Sequence, residues 1–289
     1  MSISDRPLRS ILYMPAANAR ALEKAQSIPA DGIIFDLEDA VAPDAKATAR
    51  EQACSAATSG LYGNRTLTIR CNGLDTPWGA DDIAAASGAG PAAIVIPKVS
   101  GVSALAEVAR HMDAAGAPDH TRIWAMVETP VAIFSVREIA AFERVSVLVM
   151  GTNDLAKELR AQMVPSRAPL IPHLATALLA AREAGRAILD GVYNDVRNAE
   201  GFAFEARQGF EMGFDGKTLV HPSQVEPTNE IWAPSAEEID YARRVIAAFE
   251  QASAEGRGVA TVDGRMIENL HVENARRTLA VASAIGDLS

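Results

Sequence analysis

Short apolar runs alternate with Ala-, Leu-, Glu- and Arg-rich stretches along most of this chain. Eight runs stand out: Ser10–Met14, Gly32–Asp36, Leu67–Arg70, Ala93–Ile96, Ile123–Val127, Val147–Met150, Ala187–Leu189 and Thr218–Val220. Most are nearly continuous in apolar side chains, the pattern of strands covered on both faces of a parallel sheet. The stretches between them, such as Ala19–Gln26, Val102–Ala115 and Pro172–Ala184, read as crossover helices. Eight strand–helix units within roughly 220 residues predict an α/β fold of the closed (β/α)8 TIM-barrel type, placed here over residues 1–233. An open doubly wound sheet is the alternative, but no Gly-x-Gly-x-x-Gly follows the first strand.

Beyond the eighth strand the pattern changes. A Pro-containing connector, His221–Pro234, leads to a helix expected over Ser235–Ala252, with Ser235 as N-cap and Glu238 completing a capping box. A Gly-containing loop, Glu255–Gly264, then precedes a last helix near Met266–Ala284. Residues 234–289 form a C-terminal helical extension that exceeds what a barrel needs, and it reads as a lid, an oligomer contact, or both.

Composition narrows the function classes. A chain of 289 residues with 48% apolar side chains suits one large α/β domain. Its 27 basic and 37 acidic residues leave a formal charge of −10, which argues against nucleic-acid binding. An anionic ligand would be repelled at long range and would need a local basic cluster. Cys54 and Cys71 form no CxxC pair, so both read as reduced thiols of a cytoplasmic protein. Neither a leader peptide nor a membrane-length apolar run is visible.

In a barrel the carboxyl ends of the strands carry the chemistry. Asp36, Glu38 and Asp39 lie there after strand 2, followed by Arg70, Asn72, Lys98, Glu128, Asn153, Asp154, Asp190 and His221 after later strands. Glu128 and Asp154, at the ends of adjacent strands 5 and 6, suit a hard cation such as Mg²⁺, which takes one or two carboxylates plus waters and substrate oxygens. Singly, each has a plainer reading, Asp154 (or Asn153) as a cap for a helix over Leu155–Arg160 and Glu128 as a solvated loop residue. Asp36, Glu38 and Asp39 either order metal-bound waters or pair with Lys46 or Arg50. Arg70 points a fork into the mouth, suited to a substrate carboxylate or a developing oxyanion, or else to a structural ion pair. The basic cluster is Arg6, Arg9, Arg20 and Lys24; Arg20 and Lys24 share a helix face and either receive phosphates or are simply solvated.

Six strings then occur in order: Arg9-Ser10-Ile11-Leu12-Tyr13-Met14-Pro15, Phe35-Asp36-Leu37-Glu38-Asp39-Ala40-Val41, Ile69-Arg70-Cys71-Asn72-Gly73, Val127-Glu128-Thr129-Pro130, Gly151-Thr152-Asn153-Asp154-Leu155 and Val262-Asp263-Gly264-Arg265-Met266-Ile267. Together they resemble the citrate lyase β-subunit-like family of the aldolase/citrate lyase superfamily, from Arg9 to about Leu279. The segments Gly191–Asp195 and Gly216–Pro222 look most like the branch of malyl-CoA lyases and malyl-CoA thioesterases. The resemblance implies Mg²⁺ on Glu128 and Asp154 and Arg70 on the oxo-acid, and Glu38 and Asp36 stand with Arg70 and Asp263 as the candidate catalytic residues. It also implies coenzyme A near Tyr13, Arg20 and Lys24. Asp263 would act as base from a neighbouring subunit of a homotrimer or hexamer. Either reversible cleavage of a malyl-CoA-like thioester to acetyl-CoA and glyoxylate, or its hydrolysis to malate and CoA, is expected. The alternatives are a citramalyl-CoA lyase, a citrate lyase β subunit working with an acyl carrier protein, and a metal-dependent aldolase for free oxo-acids.

Overall fold

The computed structural model describes residues 7–286. Eight parallel strands close a barrel in sequential order: β1 (Ser10–Pro15), β2 (Gly32–Asp36), β3 (Thr66–Arg70), β4 (Ala93–Ile96), β5 (Arg122–Val127), β6 (Val145–Met150), β7 (Ala187–Asp190) and β8 (Gly216–Leu219). Closure comes from β1 pairing with β8, Ser10 opposite Lys217. The expected (β/α)8 barrel is therefore the fold. Each strand is followed by helix, so both faces of the sheet are covered and the apolar runs need no polar alternation.

The side-chain period of two decides what the barrel holds. Ile11, Ile34, Val95, Trp124, Met126, Val147, Val149 and Leu189 form one buried cluster, with Tyr13 packed against it. Two residues further along the same stripes stand Asp36, after Ile34, and Glu128, after Met126; Arg70 follows Thr68 in the same way. The inward-facing rows thus change from apolar to charged as they reach the carboxyl end.

The opposite parity faces the helices, and here β7 and β8 carry charge. Lys217 is wholly buried; its ammonium donates to Asp190 at 2.9 Å, to Glu205 on the helix Ala199–Met212 at 2.8 Å, and to the carbonyl of Gly191. Arg167 adds one nitrogen, Nη1, which donates to both oxygens of Asp190 at 2.7 and 2.9 Å. Burial alone would raise the pKa of Asp190; Lys217 and Arg167 outweigh it and hold the carboxyl below its ordinary value. Asp190 therefore contributes stability above the unfolded carboxylate range near 3.9, and that contribution is lost as pH falls through the lower folded value. Lys217→Met is expected to cost about 3 to 5 kcal/mol by leaving buried carboxylates short of a cation, measured by urea unfolding at neutral pH.

The structure departs from expectation in several places. The connector after β8 is helical, a 3-10 turn at Pro222–Gln224 running into a helix at Val225–Trp232. The helix Ala236–Ala254 has the Ser235–Glu238 capping box that the sequence predicts. The following loop instead holds a two-stranded hairpin, β9 (Ala260–Val262) and β10 (Arg265–Ile267), before the last helix, Asn269–Gly286. The chain divides into two compact units, Leu8–Ile231 and a second from Trp232 onward. The second has its own core of Ala242, Val245, Ala252, Ala260, Val262, Ile267, Val272 and Ala275. Among the described residues no helix is long and apolar enough to cross a membrane.

Candidate active site

At the carboxyl end of the barrel lies a cavity of about 460 Å³. Its charged lining is Asp36, Asp39, Arg70, Glu128 and Asp154, and Tyr13, Asn153, Asn194 and Thr218 share the wall. The expected strand-end residues of β2, β3, β5 and β6 are thus brought to one mouth.

Arg70 is the best-anchored of them. Its Nε donates to Asp36 Oδ1 and its Nη2 to Asp36 Oδ2, both at 2.7 Å. Nη1 lies 2.6 Å from Glu38 Oε2, and the guanidinium stacks over Tyr13 with 4.9 Å to the ring centroid. Burial opposes the charge, and the Asp36 carboxylate more than offsets that, so the pKa of Arg70 lies above its ordinary value. A guanidinium has five N–H donors; Nε and Nη2 each give one to Asp36, and those of Nη1 are directed at Glu38 and, at 3.5 Å, at Asp39. That leaves the second N–H of Nη2 uncommitted among the described residues, and Arg70 lines the cavity. Asp36 also accepts from the backbone N–H groups of Glu38 and Ala40, at 2.9 and 3.2 Å. Asp36 and Glu38 hold Arg70 still; Lys46 and Arg50, the alternative partners, turn elsewhere. Lys46 donates to the carbonyls of Leu37 and Glu38 and to Asn72, and Arg50 pairs with Asp82.

Glu128 is 2% exposed. Burial, helped by the nearby charges of Glu38 and Asp154, raises its pKa to about 7, although the backbone N–H of Lys98 donates to Oε1 at 2.6 Å. Gly151 makes room for it: a Cβ there would stand 2.2 Å from Glu128 Oε2. Asp154 lies half-buried in the first turn of the helix Thr152–Leu159, which begins earlier than expected. Its N-cap is Gly151 and no side chain caps it, so neither Asn153 nor Asp154 is spent on capping.

A divalent cation fits this donor set. Asp36 is neutralised by Arg70, whereas among the described residues no side-chain cation pairs with Glu128, which has a carboxylate neighbour in Asp154. Among the described residues no three His, Cys, Asp or Glu side chains gather as a metal cage. An ion here would rest on two carboxylates and complete its shell with water and substrate oxygens, the habit of Mg²⁺ rather than Zn²⁺.

The other residues singled out by sequence fall elsewhere. Asp190 faces the helices in the buried ionic group and does not reach the mouth. Asn72 bonds Leu37 and Asp82. His221 caps the turn after β8, with Nδ1 2.7 Å from the Ser223 hydroxyl. Arg6 lies outside the described residues, and Arg9 is buried in a fork to Asp31 at 2.7 and 2.9 Å, unavailable to phosphate. Arg20 and Lys24 are exposed on the helix Ala19–Ala25. In the second unit, Asp263 sits at the tight turn between β9 and β10, with φ of 50°, where Arg244 grips both its oxygens at 2.7 and 2.8 Å. The sequence assigns Lys98 no role and does not single out Asn194, whose side-chain amide pairs reciprocally with Asn153 at 2.8 and 3.2 Å. The Gly151 next to an acidic loop was the signal available for the fit of Glu128.

The family model described as HpcH/HpaI aldolase/citrate lyase matches residues 9–222. A (3S)-malyl-CoA thioesterase of Cereibacter sphaeroides is 49% identical, the match covering 99% of this chain and 98% of that one. The citrate lyase subunit beta of Escherichia coli is 35% identical over 97% of this chain and 95% of its own. Among solved structures, protein CitE from Mycobacterium tuberculosis in complex with magnesium, acetoacetate and coenzyme A superposes with a TM-score of 0.79 at 28% identity, covering 96% of this chain and 99% of that one.

Proposed function

Since this chain is an enzyme of the HpcH/HpaI aldolase/citrate lyase family, we propose that it acts on a coenzyme A thioester of the malyl-CoA type, hydrolysing it to malate and free CoA. The observation that carries this reading is one cavity in which an anchored guanidinium with one uncommitted donor faces two carboxylates that, among the described residues, pair with no side-chain cation. The choice of thioester is supported by the relative at 49% identity, itself a malyl-CoA thioesterase over nearly its whole length.

Arg70 binds the free carboxylate of the acyl group through the remaining N–H of Nη2, a charge-assisted hydrogen bond. Asp36 and Glu38 keep that fork from turning. Glu128 and Asp154 would hold Mg²⁺, which when bound supplies Lewis-acid polarisation of a substrate oxygen and offsets negative charge. Tyr13, Arg20 and Lys24 line the approach of coenzyme A, the two cations toward its phosphates. Asp263, supplied by a neighbouring copy in a homotrimer or hexamer, takes a proton from the attacking water. The water oxygen adds to the thioester carbon, the C–S bond breaks, and the CoA sulfur leaves to take up a proton.

Carbon–carbon cleavage is the second reading, favoured by the 35% identical citrate lyase subunit beta and by the CitE complex with magnesium, acetoacetate and coenzyme A. In the condensing direction Asp263 takes a proton from the acetyl methyl of acetyl-CoA, and that carbon adds to glyoxylate; reversal cleaves malyl-CoA. Citramalyl-CoA would fit the same groups. Product analysis after incubating the isolated protein with malyl-CoA and Mg²⁺ separates the cases. Malate and free CoA are expected; acetyl-CoA and glyoxylate would select the second reading. A thioester left intact until an acyl-carrier partner is added would place the protein as a subunit of a citrate lyase complex.

A further inference from the structure

We infer that Lys98 is a positioning residue that ties the two halves of this site together, its main chain setting Glu128 and its ammonium setting Glu38 and, through it, Arg70. The inference rests on the reading of Glu128 as a metal ligand and Arg70 as the substrate fork.

Lys98 follows Pro97 at the end of β4 and has φ of 49°, in the left-handed region that residues with a Cβ seldom occupy. Such a conformation persists only where its surroundings demand it, and it concentrates at working sites. Its backbone N–H donates to Glu128 Oε1 at 2.6 Å, so that one oxygen of a deeply buried carboxylate is fixed and the other is left to bind, and the positive φ sets where the side chain and the following chain leave that peptide. A residue that resists this φ can keep the same outgoing chain only by rotating the peptide that carries the N–H. The side chain leaves in another direction, and its ammonium lies 3.0 Å from Glu38 Oε1. The second oxygen of Glu38 lies 2.6 Å from Arg70 Nη1. Glu38 is thus stretched between two cations, one of which is the fork itself. Without the Lys98 ammonium Glu38 keeps only its contact to Arg70, and the restraint it passes to the outer nitrogen of the fork is weakened.

The Lys98 side chain is 52% exposed, so its removal should leave the fold intact, which circular dichroism would confirm. The main-chain and side-chain roles are separable by substitution. Lys98→Met keeps the backbone and removes the ammonium: kcat on malyl-CoA should fall roughly 10- to 100-fold, the scale expected for a misplaced substrate clamp. Its Mg²⁺ affinity, measured by calorimetry without substrate, should stay within about twofold. Lys98→Arg should recover most of the kcat. Lys98→Gly accepts the left-handed backbone and should bind Mg²⁺ as tightly as Lys98→Met does. Lys98→Val resists that conformation and should bind it about 10- to 100-fold more weakly.

Equal Mg²⁺ affinity in the Gly and Val proteins would overturn the main-chain role, and wild-type kcat in the Met protein would overturn the side-chain role. Either result, beside a wild type that binds Mg²⁺ and turns over malyl-CoA, overturns the inference alone. A wild type that does neither overturns the functional reading beneath it.

Discussion

Glu128→Gln is expected to lower turnover of a malyl-CoA-type thioester by about a thousandfold, or ~4 kcal/mol of barrier, and to abolish the calorimetric signal of Mg²⁺ binding. Glu128 and Asp36 are both 2% exposed, but Asp36 has the Arg70 fork while Glu128 has a single backbone N–H. A buried carboxylate without a counter-cation is costly to the folded chain, as its pKa of about 7 records. Gln matches its shape and still accepts from the Lys98 N–H, so the metal-free variant should unfold at the same temperature as wild type or higher. Loss of metal and turnover together with retained or improved stability is the signature of a ligand. Full turnover by the variant would remove Glu128 from the chemistry.

Asp263→Asn is expected to cost about 10²- to 10⁴-fold in kcat, the range for loss of a general base, while Mg²⁺ affinity stays at the wild-type value. Asp263 is exposed at the β9–β10 turn, and in its own chain it is held by Arg244. If the base is supplied by a neighbouring copy, co-expressing Asp263→Asn with Glu128→Gln chains should restore activity that neither variant has alone. In mixed oligomers some sites combine an intact barrel with an intact Asp263. An inactive mixture would place the base in the same chain as its metal site, or remove Asp263 from catalysis.

The barrel was legible because a strand buried on both faces writes itself as an unbroken apolar run. Gly32–Asp36 and Ala93–Ile96 match the sequence reading to the residue. β8 was displaced toward Val220 because Lys217 interrupts the pattern, and its neutralising partners, Asp190 and Glu205, are 27 and 12 residues away. The hairpin before the last helix was missed because its strands have three residues each, too few to show alternation. Yet Asp263-Gly264 is a recognised two-residue hairpin turn. At the mouth, the period of two carries Trp124 and Met126 on to Glu128, and so the inward acids were foreseeable. Pairings across the chain were not: Arg9 reads as a free cation until the fold brings Asp31, 22 residues on, against it. The role of Lys98 was hidden for a further reason. It depends on a backbone angle, and no residue type at position 98 announces that its φ is positive.

The most direct test of the account is the rate of malyl-CoA turnover by protein stripped of divalent cations with a chelator and then titrated with Mg²⁺. The account predicts a rate at background in the stripped protein, rising saturably to full activity as Mg²⁺ is restored, with no such rise for Glu128→Gln. Undiminished turnover by the stripped wild type would contradict it.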